Sequence, residues 1–117
     1  MEQFNLAANL RAAKALIDTP AKWTQSVLAR DSMARQVGIE DRNATCFCSM
    51  GALLRHCRDK ELPGEARKTI SEALDNVAEL TAGDDSTNIV IYNDEHTHAE
   101  VMAVWDKAIE LAEKESA

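Results

Sequence analysis

Apolar side chains recur at helical spacing in several separate runs, and this pattern restricts the chain to a mainly helical fold. Leu6, Leu10, Ala13 and Ile17 form one such face. Ala66, Ile70, Ala73, Val77 and Leu80 form another, and Val101, Trp105, Ala108 and Ala112 a third, with Met102 and Ile109 alongside. The breakers fall between the runs, and there are only four Gly and two Pro in 117 residues. That length suits a single domain over 1–117, with a frayed tail at 115–117.

The punctuation predicts the elements. A first helix spans Leu6 to about Ile17 and is stopped by Asp18-Thr19-Pro20. Thr19 as N-cap and Pro20 as first helical residue start a second, from Pro20 to about Arg30, with Trp23 as core anchor. Residues 31–44 read as an irregular loop, with a short strand near Arg35-Gln36-Val37. A loop of that length in a compact domain is a candidate functional segment. A third helix starts near Thr45, capped by Asn43 or Thr45, and ends near Cys57 or Arg58. Its stripe of Cys48, Gly51 and Ala52 implies close approach of another backbone or of a ligand.

Pro63-Gly64 precedes a fourth helix, from about Glu65 to Leu80. The β-branched run Asn88 to Tyr92 is the clearest strand signal. Thr97 and Glu100 make a capping box for a last helix reaching about Glu113. The expected fold is mainly α: a small bundle of about five helices with one short β element. A lone strand needs a partner, either residues 31–44 or a second copy, and the latter makes a homodimer an expectation.

Charge and cysteine usage exclude several classes. The formal charge is −7, with Glu72, Asp75, Glu79, Asp84 and Asp85 as a solvated face. That balance argues against phosphate-backbone binding, so no nucleic-acid partner is expected. No apolar run approaches the roughly 18 residues of a membrane span. Met1 to Phe4 lacks the basic start of a secretory signal. Cys46, Cys48 and Cys57 cannot all pair, so they read as thiols in a reducing cytoplasm.

Three groups stand out for chemistry. Cys48 falls near a helix N-terminus, where a thiol gains thiolate character. His98 begins the last helix and Asp94 follows the expected strand. If they converge, Cys48 is a nucleophile, His98 its base, and Asp94 or Asn93 the orienting group. The opposing reading makes Cys48 a small buried hydrophobe, His98 a packed ring and Asp94 a turn cap.

Cys46-x-Cys48, His56-Cys57 and His96-x-His98 offer metal-ligand types but match no zinc spacing. On one helix, Cys46 and Cys48 would point roughly 200° apart, so no metal or other cofactor is expected. Arg30, Asp31 and Arg55 suit either a salt bridge, such as Arg30 or Arg55 to Asp94, or an anion pocket. Gln25 is placed to bond a loop backbone or lie on the surface.

Several segments together resemble a family of small bacterial and phage proteins of unknown function. They are Trp23-Thr24-Gln25 with Ala29-Arg30-Asp31, Cys48 to Leu53, Tyr92-Asn93-Asp94, His98 to Val101 and Asp106 to Ile109. The resemblance implies an organisation and no mechanism, and draws attention to Cys48, Asn93, Asp94 and His98. Cys46 and Cys57 lie outside the shared pattern. The preferred expectation is a cytoplasmic accessory protein of a bacterium or phage that binds a protein, either a host protein or its own copy. Host interaction and anti-defence are the roles such a protein would serve. Arg30, Asp31, Gln25, Arg55, Asn93, Asp94, Cys48 and His98 then form an internal network. A thiol-dependent hydrolase or transferase is the alternative, so the sequence leaves open whether the protein is an enzyme.

Overall fold

A computed structural model describes residues 4–116. The helices are α1 (Leu6–Lys14), α2 (Ser49–Asp59), α3 (Gly64–Ala82), α4 (Ile89–Glu95) and α5 (His98–Ser116). Two short strands, β1 (Ala29–Asp31) and β2 (Ala44–Phe47), lie between α1 and α2. The fold is thus mainly α with a minor β element. The fraying expected at 115–117 reaches position 117, which lies outside the described residues.

Helix α5 packs against α1 and α3, and α2 packs against the same two helices. Their apolar faces enclose Leu10, Ile17, Leu53, Ile70, Leu74, Val101 and Trp105, all without solvent exposure. Helix α1 ends at Lys14, earlier than expected, but the following turn still delivers Ile17 to the core. In α3 the buried side turns through Leu74, Val77 and Ala78, which leaves Leu80 facing solvent where the sequence suggested burial. The expected capping box is present. The Thr97 N–H donates to Glu100 Oε1, and the Glu100 N–H to Thr97 Oγ1.

Two elements differ in kind from the sequence reading. The expected helix over 20–30 is one 3₁₀ turn at Pro20–Lys22 followed by extended chain. Trp23 makes a parallel bridge to Phe47, and Ser26 adopts a left-handed φ of 73°, which no helix accommodates. The expected strand over 88–92 is helix α4. Asn88 caps it by accepting from the Ile91 N–H, and Asp75 Oδ1 accepts from the Ile89 N–H. Ile89, Tyr92 and Asn93 are buried at helical spacing, so packing overrides the β preference of the run. Residues 88–92 form no strand and so need no pairing partner from a second copy.

The sheet is antiparallel, pairing Ala29 with Phe47, Arg30 with Cys46 and Asp31 with Ala44, with an irregularity between Arg30 and Asp31. On its other side, Arg30 bridges to Gln36, the expected extended piece reduced to a single bridge. Thr45 lies in β2, so α2 begins later than expected, with Cys48 as its N-cap. Cys46 and Cys48 therefore belong to a strand and a cap, and the helical angle between them does not apply. The approach expected at Gly51 is real: a Cβ there would lie 1.9 Å from the Leu28 carbonyl oxygen.

Candidate functional site

Gln25 and Asp94, two of the polar residues singled out by sequence, gather around a third, Asn93, which is 1% exposed in α4. Its Oδ1 accepts from Trp23 Nε1 at 2.8 Å, from the Ser49 N–H at 3.0 Å and from Ser49 Oγ at 2.9 Å. Its Nδ2 donates to the Thr24 carbonyl at 3.1 Å and to Asp94 Oδ1 at 3.2 Å. One neutral amide thus joins the extended 23–26 segment, the start of α2 and α4. A fourth element enters through Ser49 Oγ, which accepts from Trp105 Nε1 of α5 at 3.0 Å.

Gln25 seals the edge. Its Nε2 donates to the Asn93 and His96 carbonyls, each at 3.0 Å, so it binds backbone as one sequence reading allowed. Asp94 Oδ1 accepts from the Ser26 N–H at 2.9 Å and holds that left-handed residue in place. His96 stacks on Tyr92 and donates from Nδ1 to the Tyr92 carbonyl. Among the described residues, no buried side-chain nitrogen or oxygen lacks a partner.

Cys48 borders this junction. Its Sγ accepts from the Gly51 N–H at 3.3 Å, an N-cap made by sulfur. The sequence suggested a lowered thiol at this helix start. Burial instead pushes the Cys48 thiol up, the Gly51 and Met50 N–H groups oppose that, and the Asp94 charge adds to it. His98 lies against Trp23, edge-on to its indole at 5.5 Å between ring centres. His98 Nε2 carries a proton, because it donates to the Ile17 carbonyl at 2.8 Å. Cys48, Asp94 and His98 thus flank one cluster, yet among the described residues no hydrogen bond joins Cys48 to either of the others.

The other candidates lie elsewhere. Arg30 donates from Nε to Thr24 Oγ1 and from a terminal nitrogen to the Ala34 carbonyl. Asp31 accepts from the Met33 and Arg35 N–H groups and pairs with Arg35 Nε at 2.9 Å. The Arg35 N–H holds its carboxyl below the ordinary range, against some opposition from burial, with the Met33 N–H and the Arg35 guanidinium adding to it. Arg55 braces the loop through the Ile39 and Asp41 carbonyls, pairs with Asp59 and lies over the Phe47 ring. The suggested bridge from Arg30 or Arg55 to Asp94 is therefore not formed, because nearer carbonyls and Asp59 engage both guanidinium groups.

The potential metal ligands are dispersed. Buried His56 bonds Asn9 Oδ1, Cys46 Sγ approaches the Arg30 carbonyl, and Cys57 lines a cleft of about 460 Å³ beside α3. Among the described residues no group of three or more His, Cys, Asp or Glu could hold a metal ion. Among the described residues, no helix is long and apolar enough to cross a membrane.

Sequence reasoning missed Ser49 and Trp105 as members of the junction. Ser49, between Cys48 and Met50 at a helix start, was the available signal: a small polar residue entering an apolar face.

No curated protein and no solved structure matches the chain. A family model does match, over residues 1–111, and it covers every residue of the junction. The chain belongs to the family of unknown function DUF6197.

Proposed function

We propose that this protein works by binding another protein, without catalysis, and that the junction around Asn93 is the scaffold that keeps its surface in shape. The observation that carries the reading is a division of labour among side chains. The junction's hydrogen-bonding atoms are engaged within the chain, and the one thiol beside them has its ionisation opposed by burial. Large apolar side chains stand outside it instead: Met33 is 72% exposed and Leu80 78%. Each Å² of such apolar surface that a partner covers contributes about 25 cal/mol to binding, and ordered backbone presents it without further ordering cost. Met33 sits on a turn whose N–H groups are held by Asp31, and Leu80 on a long helix.

The test pairs two measurements on the full chain. Iodoacetamide labelling followed site by site asks whether Cys48 is reactive in the native state. The expected result is slow native labelling of Cys48 that becomes fast on unfolding. Photo-crosslinking residues placed singly at 33, 80 and the exposed control Thr69, in the producing cell, ask whether the surface meets a protein. A discrete adduct from position 33 or 80, absent from 69, is expected. Fast native labelling of Cys48 that His98→Ala slows would overturn the reading in favour of thiol chemistry with Cys48, His98 and Asp94. Crosslinks from none of the positions would also overturn it.

A further inference from the structure

We infer that the corner between α3 and α4 docks a basic polypeptide segment carrying apolar side chains among its Lys and Arg; this rests on the protein-binding reading. Helix α3 ends at Ala82, Gly83 turns the chain with a left-handed φ of 66°, and α4 starts at Ile89. Leu80 stands on the last turn of α3, and Val90 and Ile91, each 40% exposed, stand on the first turn of α4. This corner therefore presents three large apolar side chains to solvent.

Charge selects the occupant. From Thr69 to Asp106 the chain has no Lys or Arg, while Glu79 lies in the last turn of α3, Asp84 and Asp85 in the turn that follows it, and Asp94 and Glu95 end α4. The end of α3 concentrates the effect. A helix C-terminus carries partial negative charge and is stabilised by cations in its last turn. Helices α1, α2 and α5 each have a basic residue there, namely Lys14, Arg58 and Lys114. Helix α3, like the short α4, has none, and Glu79, Asp84 and Asp85 add charge of the unfavourable sign at its end. The Ser86 hydroxyl and N–H hold the Asp84 carboxyl below its ordinary range, so it stays charged.

An apolar surface whose connecting turn carries acidic residues, on a stretch of chain without Lys or Arg, is complementary to a cationic, apolar partner and repels an acidic one. A second copy of this chain, at −7 overall, is a poorer fit than a basic segment of another protein. Met33 carries no part of this argument, since Arg30 and Arg35 flank it.

The probes are a synthetic Lys/Leu peptide of about 15 residues and a Glu/Leu peptide with the same apolar positions. Amide chemical shifts of the isotope-labelled full chain report the contact. The expected result is that the Lys/Leu peptide perturbs residues 79–95 and the Glu/Leu peptide perturbs none. Leu80→Gln with Ile91→Gln, and separately Asp85→Lys, should each weaken binding about tenfold while the spectrum stays folded. Leu111→Gln, on the exposed face of α5, should leave the affinity unchanged. Perturbation spread evenly over all acidic surfaces, or undiminished binding by Leu80→Gln with Ile91→Gln, would overturn the inference. A crosslinked partner captured from position 33 and not from 80 would also overturn it while leaving the protein-binding reading intact.

Discussion

Asn93 and Asp31 both organise backbone in this molecule, and they do so by opposite means. Asn93 is a neutral amide in the dry interior, and its partners Trp23, Thr24 and Ser49 are 44 to 70 residues away in sequence. Asp31 is a carboxylate, and its partners Met33 and Arg35 are two and four residues away. An amide can donate and accept at once, which suits a joint of mixed donors and acceptors. A charge in Asn93's place would need desolvation and a partner cation. Asp31 faces only donors, and its cation, Arg35, is largely exposed. The buried neutral group thus fixes how distant segments meet, and the charged one fixes the shape of a single turn.

Removing the long-range joint gives the largest expected effect. Asn93→Ala strands the Trp23 indole N–H and the Ser49 N–H in a buried site and leaves a cavity between elements. Each unsatisfied buried donor costs about 1–3 kcal/mol. The expected loss is about 3–4 kcal/mol, read as a drop in the urea midpoint at unchanged slope. Because the amide joins 23–26, α2 and α4, hydrogen exchange should accelerate in all three. Acceleration confined to α4 would break the comparison, since Asn93 would then be as local as Asp31.

What the sequence made legible follows the same division. Features written in neighbouring residues were readable: the Thr97–Glu100 box, the apolar faces of α1 and α5, and the tight contact at Gly51. The residue types of the junction are readable as well: Gln25 reads as able to bond a loop backbone, and the family resemblance draws attention to Asn93 and Asp94. Their partners are not, because nothing local links position 93 to 23 or 49. The same long-range contacts explain the two misread elements. Trp23 and Gln25, two apart, both reach α4, which is strand spacing and not helical spacing. The run Ile89 to Ile91 has strand propensity, yet the Asn88 cap and the burial of Tyr92 and Asn93 make it a helix.

A smaller, pH-dependent effect is expected at Asp31. Its carboxyl is lowered in the folded state from an unfolded value near 3.9. The unfolded chain therefore binds the proton more readily as pH falls. The stabilisation is present above about pH 4 and is lost as pH falls through the folded value. Asp31→Asn should flatten the dependence of the urea midpoint below about pH 4 and accelerate exchange at the Met33 and Arg35 amides alone. Faster exchange at Ser49 or Trp23 in the same variant would show that the turn is not a local unit.

The smallest effect is expected where the two modes of organisation overlap, at Ser26. This residue has a left-handed φ of 73°, and its N–H is held from 68 positions away by the exposed carboxylate of Asp94. A non-glycine residue in that conformation carries about 1–2 kcal/mol of strain, and glycine carries none. Glycine also loses about 0.5–1 kcal/mol more in backbone entropy on folding. Ser26→Gly should therefore stabilise the protein by about 0.5 kcal/mol, seen as a small rise in the urea midpoint. The backbone bond to Asp94 survives the substitution, so Asp94→Ala, which removes the acceptor, should shift the midpoint by the same amount in either background. A smaller effect of Asp94→Ala in the wild-type background than in Ser26→Gly would mean that breaking the bond lets Ser26 relax its strain, placing Ser26 within the long-range joint and not beside it.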